Sequence, residues 1–149
     1  MSREILFRGK RTDNGEWVEG HMIKYPSGKV EVFKKCEEPP DVLLRCEVDP
    51  DTLCQYTGLT DKNGKKIWEN DIVKYQFDND DCPFPNKHTE KIIGRIFFSD
   101  FRASFSVTAG RKGSSSINND LFRYVRNGNR VEVIGNIFDN PELLEVEHE

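Results

Sequence analysis

Gln55-Tyr-Thr-Gly-Leu-Thr-Asp-Lys-Asn-Gly-Lys-Lys-Ile-Trp-Glu-Asn-Asp-Ile-Val-Lys-Tyr75 is the stretch whose reading decides the fold. At its centre Asn63-Gly64 predicts a tight hairpin turn of type I′, which needs two residues that tolerate positive φ. Lys65 to Trp68 then leaves the turn as one strand, and Ile72 to Phe77 forms the next. In the second strand Val73, Tyr75 and Phe77 alternate with Lys74, Gln76 and Asp78, the two-residue period of a half-buried strand. Asp61, Glu69 and Asp71 sit close together around the turn. They could meet at one end of a hairpin, but carboxylates beside Asn-Gly turns more often shape the turn, and that role is expected of them.

Working outward, the N-terminal part carries an echo of this stretch. Phe7-x-Gly9, Asp13-Asn14-Gly15 and Trp17-x-Glu19-Gly20 parallel Tyr56-x-Gly58, Asn63-Gly64 and Trp68-Glu69-Asn70. A pseudo-symmetric pair of hairpins would produce the echo, and so would repeated use of the same turn chemistry; two copies do not make a repeat architecture.

The central stretch resembles the signature of the YopX family of small phage and prophage proteins. The resemblance extends to Ile5-Leu-Phe-Arg-Gly-Lys10 with the following Gly15-x-Trp-Val-x-Gly20, and to Val131-Glu-Val-Ile-Gly-Asn-Ile-Phe-Asp-Asn-Pro-Glu-Leu143. Gly58, Asp61, Asn63, Gly64, Glu69, Asp71, Gly135 and Asn136 are the motif positions, all read as structural. Asn70 departs from the family pattern, which has glycine before Asp-Ile-Val. Asparagine is the next-best residue at positive φ, so the turn is expected to be kept. The resemblance implies a mostly β fold, a homo-oligomer (a hexamer) and no settled activity.

The chain has 149 residues, enough for one domain, 1–149. Within it an N-terminal hairpin part, 1–50, is expected to pack on a barrel-like part, 51–145. Ten Phe, four Tyr and two Trp must supply much of the core, because hydrophobic residues make up only 36%. A net charge of −4 argues against general affinity for polyanions but leaves room for a local basic face. No apolar run is long enough to span a bilayer and the N-terminus lacks a signal-peptide pattern, so a cytoplasmic location is expected. Cys36, Cys46, Cys54 and Cys82 match no Cys-x-x-Cys spacing, and free, partly buried thiols are expected in preference to a metal site or a disulfide.

The rest of the chain reads mainly as β-strand. Arg3 to Phe7, Glu16 to Lys24 and Lys29 to Lys34 are strands joined by turns at Asp13–Gly15 and Pro26–Gly28. Glu37 to Pro50 is the most irregular segment, with Val42-Leu43-Leu44 as a short helical turn or an apolar flap. Asp78 to Asn86 clusters acids but lacks the calcium-loop ligand pattern, so a solvated loop is expected. Lys87 to Phe98 and Phe101 to Thr108 form a strand pair, the second with Phe101, Ala103, Phe105 and Val107 on one face. Strands in this order suggest a small SH3-like barrel or curled sheet, with Gly94 as a bend. Ser116 is the expected cap of a short helix through Leu121, Phe122 and Val125. Arg130 to Phe138 reads as a central strand, because Ile134 and Ile137 suggest burial on both faces. Asn140-Pro141 opens a short terminal helix.

No nucleophile stands beside a base, and His21, His88 and His148 lie in unrelated contexts, so no enzymatic activity and no cofactor are expected. The leading expectation is a phage or prophage accessory protein that works through protein–protein contacts as a homo-oligomer. The alternative is a nucleic-acid-binding module using Arg111, Lys112, Arg123, Arg126 and Arg130. Gly110 to Ser116 lacks the spacing of a phosphate-binding loop, and arginines on the solvent side of an amphipathic helix are the preferred account of the cluster, given the acidic total.

Overall fold

The computed structural model describes residues 3–76, 91–108, 118–126 and 128–145. Of these, 53% are in strands and 9% in helix, so the chain is mainly β. It folds as two compact units, Met1–Gly58 and Leu59–Glu149. The loop at 78–86, the Gly110–Ser116 segment, Cys82 and His88 lie outside the described residues.

In the first unit four strands follow one another as an antiparallel meander. They are β1 (Phe7–Lys10), β2 (Trp17–Lys24), β3 (Val30–Lys35) and β4 (Leu43–Val48). A 3-10 turn at Pro50–Thr52 leads into β5 (Cys54–Thr60), which pairs with β1, so the strand order is β4-β3-β2-β1-β5. The first turn is built as its sequence suggests. Arg11 N–H donates to Glu16 O at 2.9 Å, Gly15 N–H donates to Arg11 O at 2.9 Å, and Gly15 takes φ +73°. Across it the Arg11 guanidinium bonds Asp13 at 2.7 Å and holds that carboxyl below the usual range.

The register puts Val18, Val30, Val32, Cys46 and Val48 on one buried face. On the other, the Arg8 guanidinium lies 4.5 Å over the Trp17 ring, and Glu31 is buried beside Tyr25 and Arg45. The Tyr25 hydroxyl donates to Glu31, and this bond raises its ionisation above the usual phenol range. The sheet curls until Arg11 bridges Val48, with Thr12 N–H on Glu47 O at 3.1 Å and Asp49 N–H on Lys10 O at 2.8 Å. Gly20 permits the close approach of β2 and β3, since a Cβ there would lie 2.1 Å from Phe33 O.

The structure corrects two expectations for this unit. β1 begins at Phe7, because the pairing with β2 and β5 uses Phe7 to Lys10 rather than Arg3 to Phe7. Leu43 and Leu44 lie in β4, neither helical nor a flap. The prolines before them end in a turn with Asp41 at φ +65°, after which nothing prevents pairing with Lys34 and Lys35.

In the second unit β6 (Lys66–Trp68) and β7 (Asp71–Gln76) follow the central turn. Then come β8 (Lys91–Ser99), β9 (Ser104–Thr108), β10 (Asn118–Asp120), helix α1 (Phe122–Val125), β11 (Val131–Asn136) and helix α2 (Glu142–Glu145). The main sheet has the order β10-β9-β8-β7-β11. Among the described residues its two edge strands do not pair with each other. The sheet is therefore open, not the closed SH3-like barrel considered from the sequence.

Its core gathers Ile67, Val73, Tyr75, Ile96, Val107, Leu121, Tyr124 and Val131. The Tyr75 and Tyr124 rings meet at 4.7 Å, and the Tyr75 hydroxyl donates to Thr108 O at 2.9 Å, so the buried phenol keeps a partner.

β11 is an edge strand, contrary to the central position inferred from Ile134 and Ile137. A bulge between Val133 and Gly135 breaks its alternation and leaves Ile134 half-buried. β9 starts only at Ser104. Ala103 takes φ +53° and Phe101 is 97% exposed, because residues 101–103 form a turn in which Arg102 N–H bonds Ser99 Oγ. Helix α1 starts after Leu121, with Phe122 N–H on Asp120 Oδ1 at 3.0 Å; Ser116 lies outside the described residues.

Asn70 has φ +70°, as expected of a residue replacing glycine in this turn. Its N–H donates to Ile96 O and its carbonyl accepts from Ile137 N–H, tying β7 to its neighbours. Asn70→Ala is expected to cost about 1 kcal/mol, since alanine carries the Cβ penalty of this region without the short polar side chain that makes asparagine tolerant of it. Asn70→Gly should stay closer to the parent. Urea unfolding midpoints of the two variants check this, and equal midpoints would contradict it.

Candidate functional site

The central turn is built around Asp61, which is 3% exposed. Asp61 N–H donates to Lys65 O at 2.8 Å, and Gly64 N–H donates to Asp61 O at 2.9 Å. Gly64 alone of the Asn-Gly pair is left-handed, at φ +83°. The turn is thus a three-residue hairpin loop closed by a glycine bulge, rather than the two-residue type I′ turn expected.

The carboxylate explains the difference. Its Oδ1 accepts from Asn63 N–H and Lys65 N–H, each at 2.9 Å, which draws in one extra residue. Its Oδ2 accepts from Val133 N–H at 2.9 Å, and the neighbouring Lys62 N–H donates to Val131 O at 2.9 Å. The turn therefore covers the outer edge of β11 and satisfies donors that an edge strand would leave open.

The other motif residues also serve the backbone. Asp71, 2% exposed, accepts from Trp68 N–H at 2.8 Å. Glu69 is half-buried in the turn between β6 and β7. Gly58 takes φ +86° beside the Arg3 side chain. Asn136 Oδ1 accepts from Phe138 and Asp139 N–H at 3.0 and 2.9 Å, closing the chain after β11. Gly135 lies where a Cβ would meet Asn140 Oδ1 at 2.5 Å.

The arginine cluster is only partly brought together. Arg111 and Lys112 lie outside the described residues. Arg126 is exposed, and Arg123 is half-buried on α1. Arg130 Nη2 donates to Arg123 O at 3.0 Å with its guanidinium 6.0 Å from the Tyr124 ring centre, so it caps the helix it follows.

Arg130 also borders an open depression lined by Lys62, Lys74, Gln76, Lys91, Asn129 and Glu132. Local sequence pattern does not single out these lysines, because they come from separate segments. The signal is present in part, since Lys74 and Gln76 are the outward positions of the alternating strand. Register does the rest: Gln76 pairs with Lys91 on β8, and Lys74 pairs with Glu132 on β11. Asn129 fixes the floor, its amide donating to Thr60 O at 2.7 Å and its oxygen accepting from Val131 N–H at 3.0 Å.

Among the described residues no three His, Cys, Asp or Glu side chains are grouped to hold a metal ion, and Cys36 and Cys46 are free thiols. No helix among them is long and apolar enough to cross a membrane.

No curated protein matches the chain. Among solved structures it is similar to protein EF1440 from Enterococcus faecalis, at 27% identity and a TM-score of 0.52, over 96% of this chain and 99% of that one. The family model described as YopX protein matches residues 6–145, nearly the whole length and all three motif blocks. With Asp61, Asn70, Asp71, Gly135 and Asn136 each holding a turn or strand end within that span, the chain belongs to the YopX family.

Proposed function

We propose that this chain is a non-enzymatic phage or prophage accessory protein, cytoplasmic, that works through protein–protein contacts as a homo-oligomer. The observation that carries this reading is the edge strand β4. Val42, Leu43 and Leu44 are 43%, 49% and 47% exposed at the end of the first sheet, where, among the described residues, β4 pairs only with β3 at Leu43 and Leu44. Natural edge strands are usually blunted by charge, proline or a covering element, and an uncovered pair of leucines fits an edge that meets another subunit. The non-enzymatic part is supported by Asp61, whose two oxygens are taken up by three backbone N–H groups.

Replacing both leucines tests the reading. Leu43→Lys with Leu44→Lys is expected to convert the oligomer to monomer while far-UV circular dichroism stays unchanged, since both side chains are already half in water. An oligomer of unchanged mass in that double variant would sink the assignment of β4 as the interface.

A further inference from the structure

The geometry points to a phosphate-binding site in the depression between β7, β8 and β11, fitted to one or two phosphate groups of a small molecule. Among the described residues Lys62, Lys74, Lys91 and Arg130 surround it with Glu132 as the one carboxylate, a formal +3 (four cations minus one anion) in a chain of net −4. Such a concentration of one sign in a concave surface focuses its field on an incoming anion.

The fold compensates this charge only in part: Glu132 is ion-paired to Lys62 and stands opposite Lys74, and Arg130 Nη2 is held by Arg123 O. Lys74 and Lys91 are diagonal neighbours on one sheet face, because Gln76 is the register partner of Lys91. Like charges so placed repel. Exposed Lys62 pairs with Glu132 at 3.9 Å, and among the described residues neither Lys74 nor Lys91 is in an ion pair. A bound phosphate would reverse the repulsion through charge-assisted hydrogen bonds.

The lining also selects against the nucleic-acid reading. Among the described residues it contains no aromatic side chain on which a base could stack, so the phosphate itself is the recognised group.

Titration calorimetry at fixed ionic strength, with inorganic pyrophosphate as the probe, tests this. The expected result is one site per chain. Lys74→Gln and Lys91→Gln should each weaken it about tenfold, the scale of one lost charge-assisted contact. Lys34→Gln, an exposed lysine on β3, should leave it unchanged. Equal affinity for a nucleoside diphosphate would show that the phosphates alone are read, and tighter binding would add a nucleoside contact; either supports the site. Should Lys74→Gln fail to fold, Lys62→Gln with Lys91→Gln, both at exposed side chains, carries the same test. Absence of pyrophosphate binding, binding of an oligonucleotide alone, or equal weakening by Lys34→Gln would overturn the proposal.

Discussion

Asp61→Ala is expected to destabilise the second unit by about 4 kcal/mol. The side chain is buried, and its two oxygens accept from the N–H groups of Asn63, Lys65 and Val133. Each bond to a charged acceptor contributes about 1.5–3 kcal/mol, and these contributions are not additive. Alanine leaves three donors near the protein interior without the acceptor that positions the turn on β11. Asp61→Asn keeps an oxygen toward Asn63 and Lys65 but turns an NH2 group on Val133 N–H, so about half the loss is expected. Denaturant unfolding of both variants checks this, and a change under about 1 kcal/mol in the alanine variant would mean that Asp61 does not hold the turn on β11.

Gly94→Ala is expected to cost about 3 kcal/mol, by steric conflict instead of lost bonds. A Cβ at this position would lie 2.2 Å from Thr108 O and 3.0 Å from Val107 Cγ2. The carbonyl belongs to the backbone of β9, and Thr108 Oγ1 also accepts from Arg95 N–H at 2.9 Å, so neither strand can move alone. Separating them would also disturb the Tyr75 hydroxyl, which donates to the same Thr108 carbonyl. Gly28→Ala is the contrast. It has φ +96° but nothing within 4 Å of a Cβ, so only backbone strain of about 1–2 kcal/mol is expected. Comparable losses in the two variants would mean that β8 and β9 do not approach as described.

These two residues show which parts of the fold were legible in the sequence. Strands β6 and β7 were readable because Asn63-Gly64 announces a hairpin and Val73 and Tyr75 alternate with Lys74 and Gln76. The form of the turn was not, because it depends on Asp61 reaching Val133, a partner 72 residues away. Gly94 read as a bend, but its role is close approach, which only the neighbouring strand reveals. Phe101 looked like a core residue by alternation, yet the turn at Ala103 places it in water. Ile134 suggested a central strand because a bulge mimics two-sided burial. Of the expected arginine cluster, Arg130 borders the depression but is spent partly on capping α1. The lysines that accompany it are adjacent only through strand register, which local pattern does not encode.

Light scattering coupled to size-exclusion chromatography, on untagged chain at low and high salt, tests the proposed assembly most directly. The expected result is a discrete species whose mass is a whole multiple of 17.3 kDa and persists at high salt, since the edge offered by Leu43 and Leu44 is apolar. A strict monomer at high micromolar concentration would contradict it.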